Sequence, residues 1–395
     1  MTKKIIRNYA TFMLLEGLAL SFFFGTYQLF LLEKGLSLLE INLLNCGFMI
    51  ANFLLEIPTG AIADFFGRKR SVIIGLWIYA LSFFLYFLSQ NFWQFLVAEI
   101  IGAVAITCIS GALEALVVDS LNHYGYDGKL ETIFRRGEIR SLGVIVGAVI
   151  GSFVGQINLA WPWLLSSLAY VFLAIASNYF FYEDYFIKPE KIKFGLEPMK
   201  KIAKESIVYG LKNRPLMFVV AFSAILSLAV QPVNMYWPIA FKNIFDVQTK
   251  YMGLIFAAIV ISAYVGSQFS KVWQKKIKCQ KNAIFFSQII TLLGILGACF
   301  FSRLPLFLAF FLIHEFGRGL FNPLSRAYIN ENIESKNRAT VLSFESMVVK
   351  AGAGAGLILS GLIADNFGIL NSWLISALIL VIGIFIFWRK NGTKN

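Results

Sequence analysis

Seven ionisable residues stand out inside long apolar runs of this chain. They are Glu16, Glu56, Glu114, Glu315 and Glu345, with two bases, Arg318 and Lys350. A charge in hydrocarbon costs a few kcal/mol or more, so such residues face an interior or a cavity and bind a proton, a cation or each other. Acids outnumber bases here, which leaves carboxyls that must be protonated, hydrated or met by a cation. Their neighbours fall on stripes at helical spacing. Glu16, Leu20, Phe23 and Tyr27 share one; Ala103, Thr107, Ser110 and Glu114 share another; His314, Arg318 and Asn322 share a third. Gln231, Pro232, Asn234, Tyr236 and Trp237 read as a broken, polar stretch of helix. With a rise of ~1.5 Å per residue, Glu16, Glu315, Arg318 and Lys350 come to similar depth, so the pairs Glu16–Arg318 and Glu315–Lys350 are expected. Each residue taken alone also has an ordinary reading as a buried ion pair, a snorkelling side chain or an aromatic at the membrane interface.

Other chemistries lack their residues. There is no Walker loop, HExxH or GxSxG, and His123 and His314 are the only histidines. Cys46, Cys108, Cys279 and Cys299 have no framework spacing. No enzyme, metal or cofactor is expected, and ATP-driven transport by this chain alone is not.

The elements that must position these residues are written in the composition. The 395 residues are 58% hydrophobic and only 14% charged, against about 25% charged in a soluble chain, so lipid is the expected solvent. A membrane helix needs about 20 mostly apolar residues. Twelve runs qualify: 9–32, 40–62, 71–89, 93–120, 138–158, 161–182, 215–240, 250–272, 282–302, 304–328, 339–363 and 367–388. The first run, with Glu16 inside it and no cleavage site, reads as a helix rather than a signal peptide. With the N-terminus in the cytoplasm, twenty-nine of the Lys and Arg residues fall in cytoplasmic segments and four in outer loops. That bias places both termini and the polar stretch 184–214 inside. It also explains the net charge of +13 without a nucleic-acid partner. Within the stretch, 197–212 has the amphipathic spacing of a helix lying on the membrane surface.

The sharpest motif closes the second run: Glu56-Ile-Pro-Thr-Gly60-Ala-Ile-Ala-Asp64-Phe-Phe-Gly67-Arg68-Lys69-Arg70. Gly60 and Gly67 permit close approach and a tight turn. Asp64 can accept backbone or Arg hydrogen bonds, and Arg68 is expected to pair with Asp119. The motif resembles the signature loop of the major facilitator superfamily, and its E-I-P-T-G lead-in is similar to a bacterial, drug-efflux-like branch. The resemblance implies that Gly60, Asp64, Gly67, Arg68 and Asp119 act as a conformational latch. It also implies that helices 1, 4, 7 and 10 line a central cavity. The equivalent segment, Gly266 to Lys271, lacks the Asp. Helix 5 carries Gly143, Gly147, Gly151 and Gly155, a ladder for close helix packing. It is similar to the antiporter signature of drug–proton exchangers without their Gly-Pro pair, and Glu99 occupies the helix 4 stretch where those exchangers carry Arg.

The two halves repeat weakly, as in many transporters. Residues 111–122 correspond to 319–330, and the glycines of helix 5 to Gly352, Gly354, Gly356 and Gly361. The expected fold is an all-α polytopic membrane protein, with twelve transmembrane helices in two pseudo-symmetric six-helix bundles, 1–183 and 215–395, joined by the cytoplasmic linker 184–214. The expected function is proton-coupled efflux of small amphipathic or cationic compounds by a monomer in the bacterial cell membrane. Glu16, Glu114, Glu315, Arg318, Lys350, Tyr27, Gln231, Asn234 and Trp237 are the candidates for substrate and proton. A sugar, peptide or metabolite carrier of the same fold is the alternative within transport. A membrane sensor or enzyme on the same scaffold is the alternative from another class.

Overall fold

The computed structural model describes residues 1–188, 214–277, 279–332 and 338–391. The surface helix expected over 197–212 lies outside the described residues.

Every regular element among the described residues is helical, as lipid demands of a backbone that must satisfy its own hydrogen bonds. The elements are α1 (Thr2–Ser21), α2 (Tyr27–Glu33), α3 (Leu38–Phe66), α4 (Arg68–Leu88), α5 (Phe92–His123), α6 (Leu130–Gly137), α7 (Arg140–Gly155), α8 (Trp161–Phe180), α9 (Arg214–Ala229), α10 (Gln231–Phe245), α11 (Met252–Lys276), α12 (Gln280–Phe300), α13 (Leu304–Glu331), α14 (Arg338–Phe367) and α15 (Ile369–Asn391). Eleven stretches among the described residues are long and apolar enough to cross a membrane. The first expected span completes the twelve. It is not one helix but α1 and α2, separated by a turn at Phe22–Thr26. The seventh is likewise divided between Ala229 and Gln231, with Pro232 in the first turn of α10, where a missing N–H costs nothing. Large apolar side chains such as Trp93, Phe172 and Phe300 lie exposed along the spans, as residues facing lipid do.

The chain forms two compact units. The first is Met1–Leu36, Leu43–Phe194 and Asp246–Ala257; the second is Ser37–Asn42, Gly195–Phe245 and Ala258–Asn395. In the first, the glycines of α7 meet α1 one turn at a time. A Cβ on Gly143 would lie 2.1 Å from the Leu14 carbonyl oxygen, on Gly147 2.4 Å from that of Leu18, and on Gly151 1.7 Å from that of Phe22. Gly155 stands against Thr26. Four-residue steps on one helix thus match four-residue steps on the other, and the backbones touch because no side chain intervenes. Gly17 returns the contact, its Cβ position being 2.4 Å from the Arg140 carbonyl oxygen. The second unit repeats the device with α14 on α9: Gly352 lies against Ala224 and Gly356 against Leu228. There, too, Asp365 caps the start of α3, accepting the Leu38 and Leu39 amides at 2.9 and 3.0 Å.

Candidate functional site

In the first unit the glycine contact fixes which charge meets Glu16. Arg140 is the first residue of α7, and Gly17 lets that helix end come close enough for the guanidinium to reach across. Arg140 donates from Nε to Glu16 Oε2 at 2.5 Å and from Nη2 to Oε1 at 3.2 Å. Tyr170 of α8 donates its hydroxyl to Oε1 at 3.1 Å. Glu16 is buried, and its charge is matched by a bidentate base and a hydroxyl. The partner expected from depth, Arg318, is therefore replaced by Arg140, which the sequence presents as one more loop cation.

After the break that follows α1, Tyr27 reaches a second carboxyl. Tyr27 donates to Glu99 Oε1 of α5 at 3.1 Å, and Tyr86 of α4 donates to the same oxygen in a shorter bond. The Tyr27 hydroxyl accepts from Asn45 Nδ2 at 3.0 Å. Phe23 and Tyr86 each stack on Trp163, both with ring centroids 4.0 Å apart. Of this group the sequence singles out Tyr27 and Phe23, and Glu99 only as the residue that stands where drug–proton exchangers carry Arg. Glu99, Tyr86 and Trp163 carry no motif; the one available signal is Glu99 itself, an acid seven residues into an apolar helix. Glu114 and Glu56 are exposed, and neither has an ion-pair partner among the described residues.

The signature loop comes together as a cluster. Gly67 has φ 100°, a turn only glycine makes freely. Arg68, beginning α4, bonds Asp119 at the end of α5 and lies 3.5 Å from Asp64. Its backbone N–H and that of Lys69 donate to Glu183 at 2.7 and 2.9 Å, so an acid outside the motif caps the helix. Gly60 makes no close approach, since a Cβ there would meet nothing within 4 Å.

In the second unit the expected Glu315–Lys350 pair is replaced by a pair on one helix. Arg318 Nη1 lies 3.0 Å from Glu315 Oε1, three residues back on α13, and 2.6 Å from Asn234 Oδ1 of α10. Lys350 is exposed and without an ion pair among the described residues. A cavity of about 610 Å³ opens beside this pair, its lining including Gln231, Asn234, Arg318, Asn322, Arg326 and Glu345. Gln231 also holds the break in the span, donating to the Ser227 carbonyl at 2.9 Å. Trp237 is buried among Phe241 and Phe311 rather than in the cavity wall. The stripe of His314, Arg318 and Asn322 divides. Arg318 and Asn322 line the cavity, whereas His314 is fully buried. A Cβ on Gly294 of α12 would come within 2.3 Å of the His314 amide nitrogen.

Membrane helices paired through glycine ladders, with compensated charges deep in the spans and a polar cavity, define a polytopic membrane protein of the transporter kind. The sequence matches the Major Facilitator Superfamily over residues 10–278 and 217–395, and the chain belongs to that family. It is 25% identical to the uncharacterized MFS-type transporter YxaM of Bacillus subtilis over 391 residues, 95% of this chain and 94% of that one. It is 24% identical to the class H tetracycline resistance protein of Pasteurella multocida, over 85% of this chain and 83% of that one. Among solved structures it is similar to the nucleoside transporter NupG, with a TM-score of 0.76 at 17% identity, covering 98% of this chain and 98% of that one.

Proposed function

We propose that this protein is a secondary active transporter that exports small amphipathic or cationic compounds from the cell in exchange for protons, by alternating access. The observation that carries the reading is the pair of carboxyls inside the spans of the first unit, Glu16 and Glu99, bound by tyrosine hydroxyls, with Tyr86 stacked on Trp163. Buried acid with aromatic rings recognises lipophilic cations and protons by the same charge. The likeness to a tetracycline resistance protein supports export. Cells expressing the chain should accumulate less ethidium than control cells, and a protonophore should restore accumulation. Equal accumulation in both cells, or a reduction that survives the protonophore undiminished, would sink the reading. The cavity in the second unit, lined by Gln231, Asn234 and Asn322, favours a second reading as a carrier of polar metabolites. Under it, ethidium would be unaffected while a labelled sugar or peptide moved.

The cluster of Arg68, Asp64 and Asp119 serves in this scheme as a latch that holds one conformation. Arg68→Ala and Asp64→Asn should each slow ethidium efflux about tenfold, the effect of ~1.4 kcal/mol on a two-state balance, while the protein still inserts. Wild-type rates in both variants would remove the latch.

A further inference from the structure

Glu99 is the one carboxyl in this group that no base compensates. Five elements surround it. From α4 come Tyr86, which donates to it, and Tyr79, stacked one turn away on Phe83 at 5.1 Å. From α2 comes Tyr27. Lys34, two turns further along α2, turns away: its ammonium donates to Gln90 at 2.9 Å and lies over the Phe30 ring. From α3 comes neutral Asn45, acting through Tyr27. From α1 the nearest charge is Glu16, already bound by Arg140 of α7 and Tyr170 of α8. From α8 also comes Trp163, 1% exposed, whose indole N–H has no partner among the described residues. No Lys or Arg among the described residues pairs with Glu99.

The geometry points to Glu99, clamped by the Tyr27 and Tyr86 hydroxyls, as the residue that carries the exchanged proton. This rests on the proton-exchange reading above and gives it a site. An ionised carboxyl without a base is costly at this depth. One proton taken from water onto a carboxylate oxygen forms an O–H bond and cancels the charge; breaking that bond returns the proton to water. In the deprotonated form the carboxylate can serve a lipophilic monocation as its counter-charge. One proton and one cation are thus alternatives at a single charge. The two tyrosine hydroxyls hold the carboxylate oxygen in place while it is charged, which Glu16 does not need, since Arg140 keeps it paired throughout.

The test is infrared difference spectroscopy of the purified full chain in liposomes across a pH titration, with ethidium transport measured on the same preparations. A carboxylic-acid carbonyl band should be present in the wild type and in Glu16→Gln, and absent in Glu99→Gln. In Tyr86→Phe the band should move to higher wavenumber, because a carbonyl that loses a hydrogen-bond donor stiffens. Ethidium transport driven by a pH gradient should fall to background in Glu99→Gln and recover in part in Glu99→Asp, which restores a titratable group. Persistence of the band in Glu99→Gln, or gradient-driven ethidium transport at the wild-type rate in that variant, overturns the assignment. If the wild type itself moves no ethidium under a gradient, the export reading fails by itself, and the band still decides whether Glu99 holds the proton.

Discussion

Gly151→Ala should abolish the folded protein or leave it far less stable than the wild type in detergent. In an isolated helix the change would help, since alanine outranks glycine by roughly 1 kcal/mol. Here the added Cβ would sit 1.7 Å from the Phe22 carbonyl oxygen. That oxygen is backbone at the end of α1 and cannot rotate away as a side chain does. Overpacking costs about 1–3 kcal/mol where neighbours can yield, and this neighbour yields only if α1 and α7 separate. Separation would be felt along the whole ladder, because Gly143 and Gly147 make the same contact with Leu14 and Leu18. Gly111→Ala in α5 is the control, as a Cβ there meets nothing within 4 Å. Size-exclusion profiles and melting curves in detergent compare the two. A Gly151→Ala protein as monodisperse and heat-resistant as Gly111→Ala would show that the ladder does not hold these helices.

The ladder also shows what sequence reading reaches and where it stops. Gly143, Gly147, Gly151 and Gly155 announce a close helix contact by spacing alone, but not the partner. The spans were legible because each is a run of apolar residues long enough to cross lipid, and the family because Gly60 to Arg70 is a rare pattern. Of the charge pairs, Arg68–Asp119 was legible from the motif, whereas those of Glu16 and Glu315 were not. Depth along a helix follows from residue count, and Glu16 and Glu315 are buried among the described residues. Pairing also needs the direction each side chain takes around its helix. That direction depends on the turn at Phe22–Thr26, which no proline marks, and on the glycine contact that carries Arg140 to Glu16. Glu99 stayed hidden for a related reason. Its partners are tyrosine hydroxyls on two other helices, which leave no charge pattern to read. Arg318 kept its position in a polar cavity because Asn234 and Gln231 flank a helix break that Pro232 does mark.

The pairing with Arg140 sets the expectation for Glu16 itself. In Glu16→Gln the amide still accepts one hydrogen bond, but it leaves the guanidinium without a counter-charge. Breaking a buried pair from one side costs about 3–5 kcal/mol. Arg140 is 36% exposed at its side chain, so water recovers part of that, and a loss of about 2 kcal/mol is expected. The single variant should therefore express poorly and melt earlier. Glu16→Gln with Arg140→Gln removes the orphaned charge together with the lost one, and it should regain most of the yield, with a coupling energy of about 1–3 kcal/mol between the two positions. Arg318→Gln in place of Arg140→Gln should rescue nothing, because Arg318 is held by Glu315 and Asn234. Fluorescence-detected size-exclusion yields and melting temperatures of the wild type, Glu16→Gln, Arg140→Gln and their double variant give the cycle, with the Glu16→Gln, Arg318→Gln protein as the comparison. Rescue by Arg318→Gln would undo the Glu16–Arg140 assignment. A Glu16→Gln protein with wild-type yield and no ethidium transport would return the coupling role to Glu16. A loss in the Glu16→Gln, Arg140→Gln double variant equal to the sum of the two single losses would mean that the two residues stabilise the protein independently, and that the contact between them contributes nothing of its own.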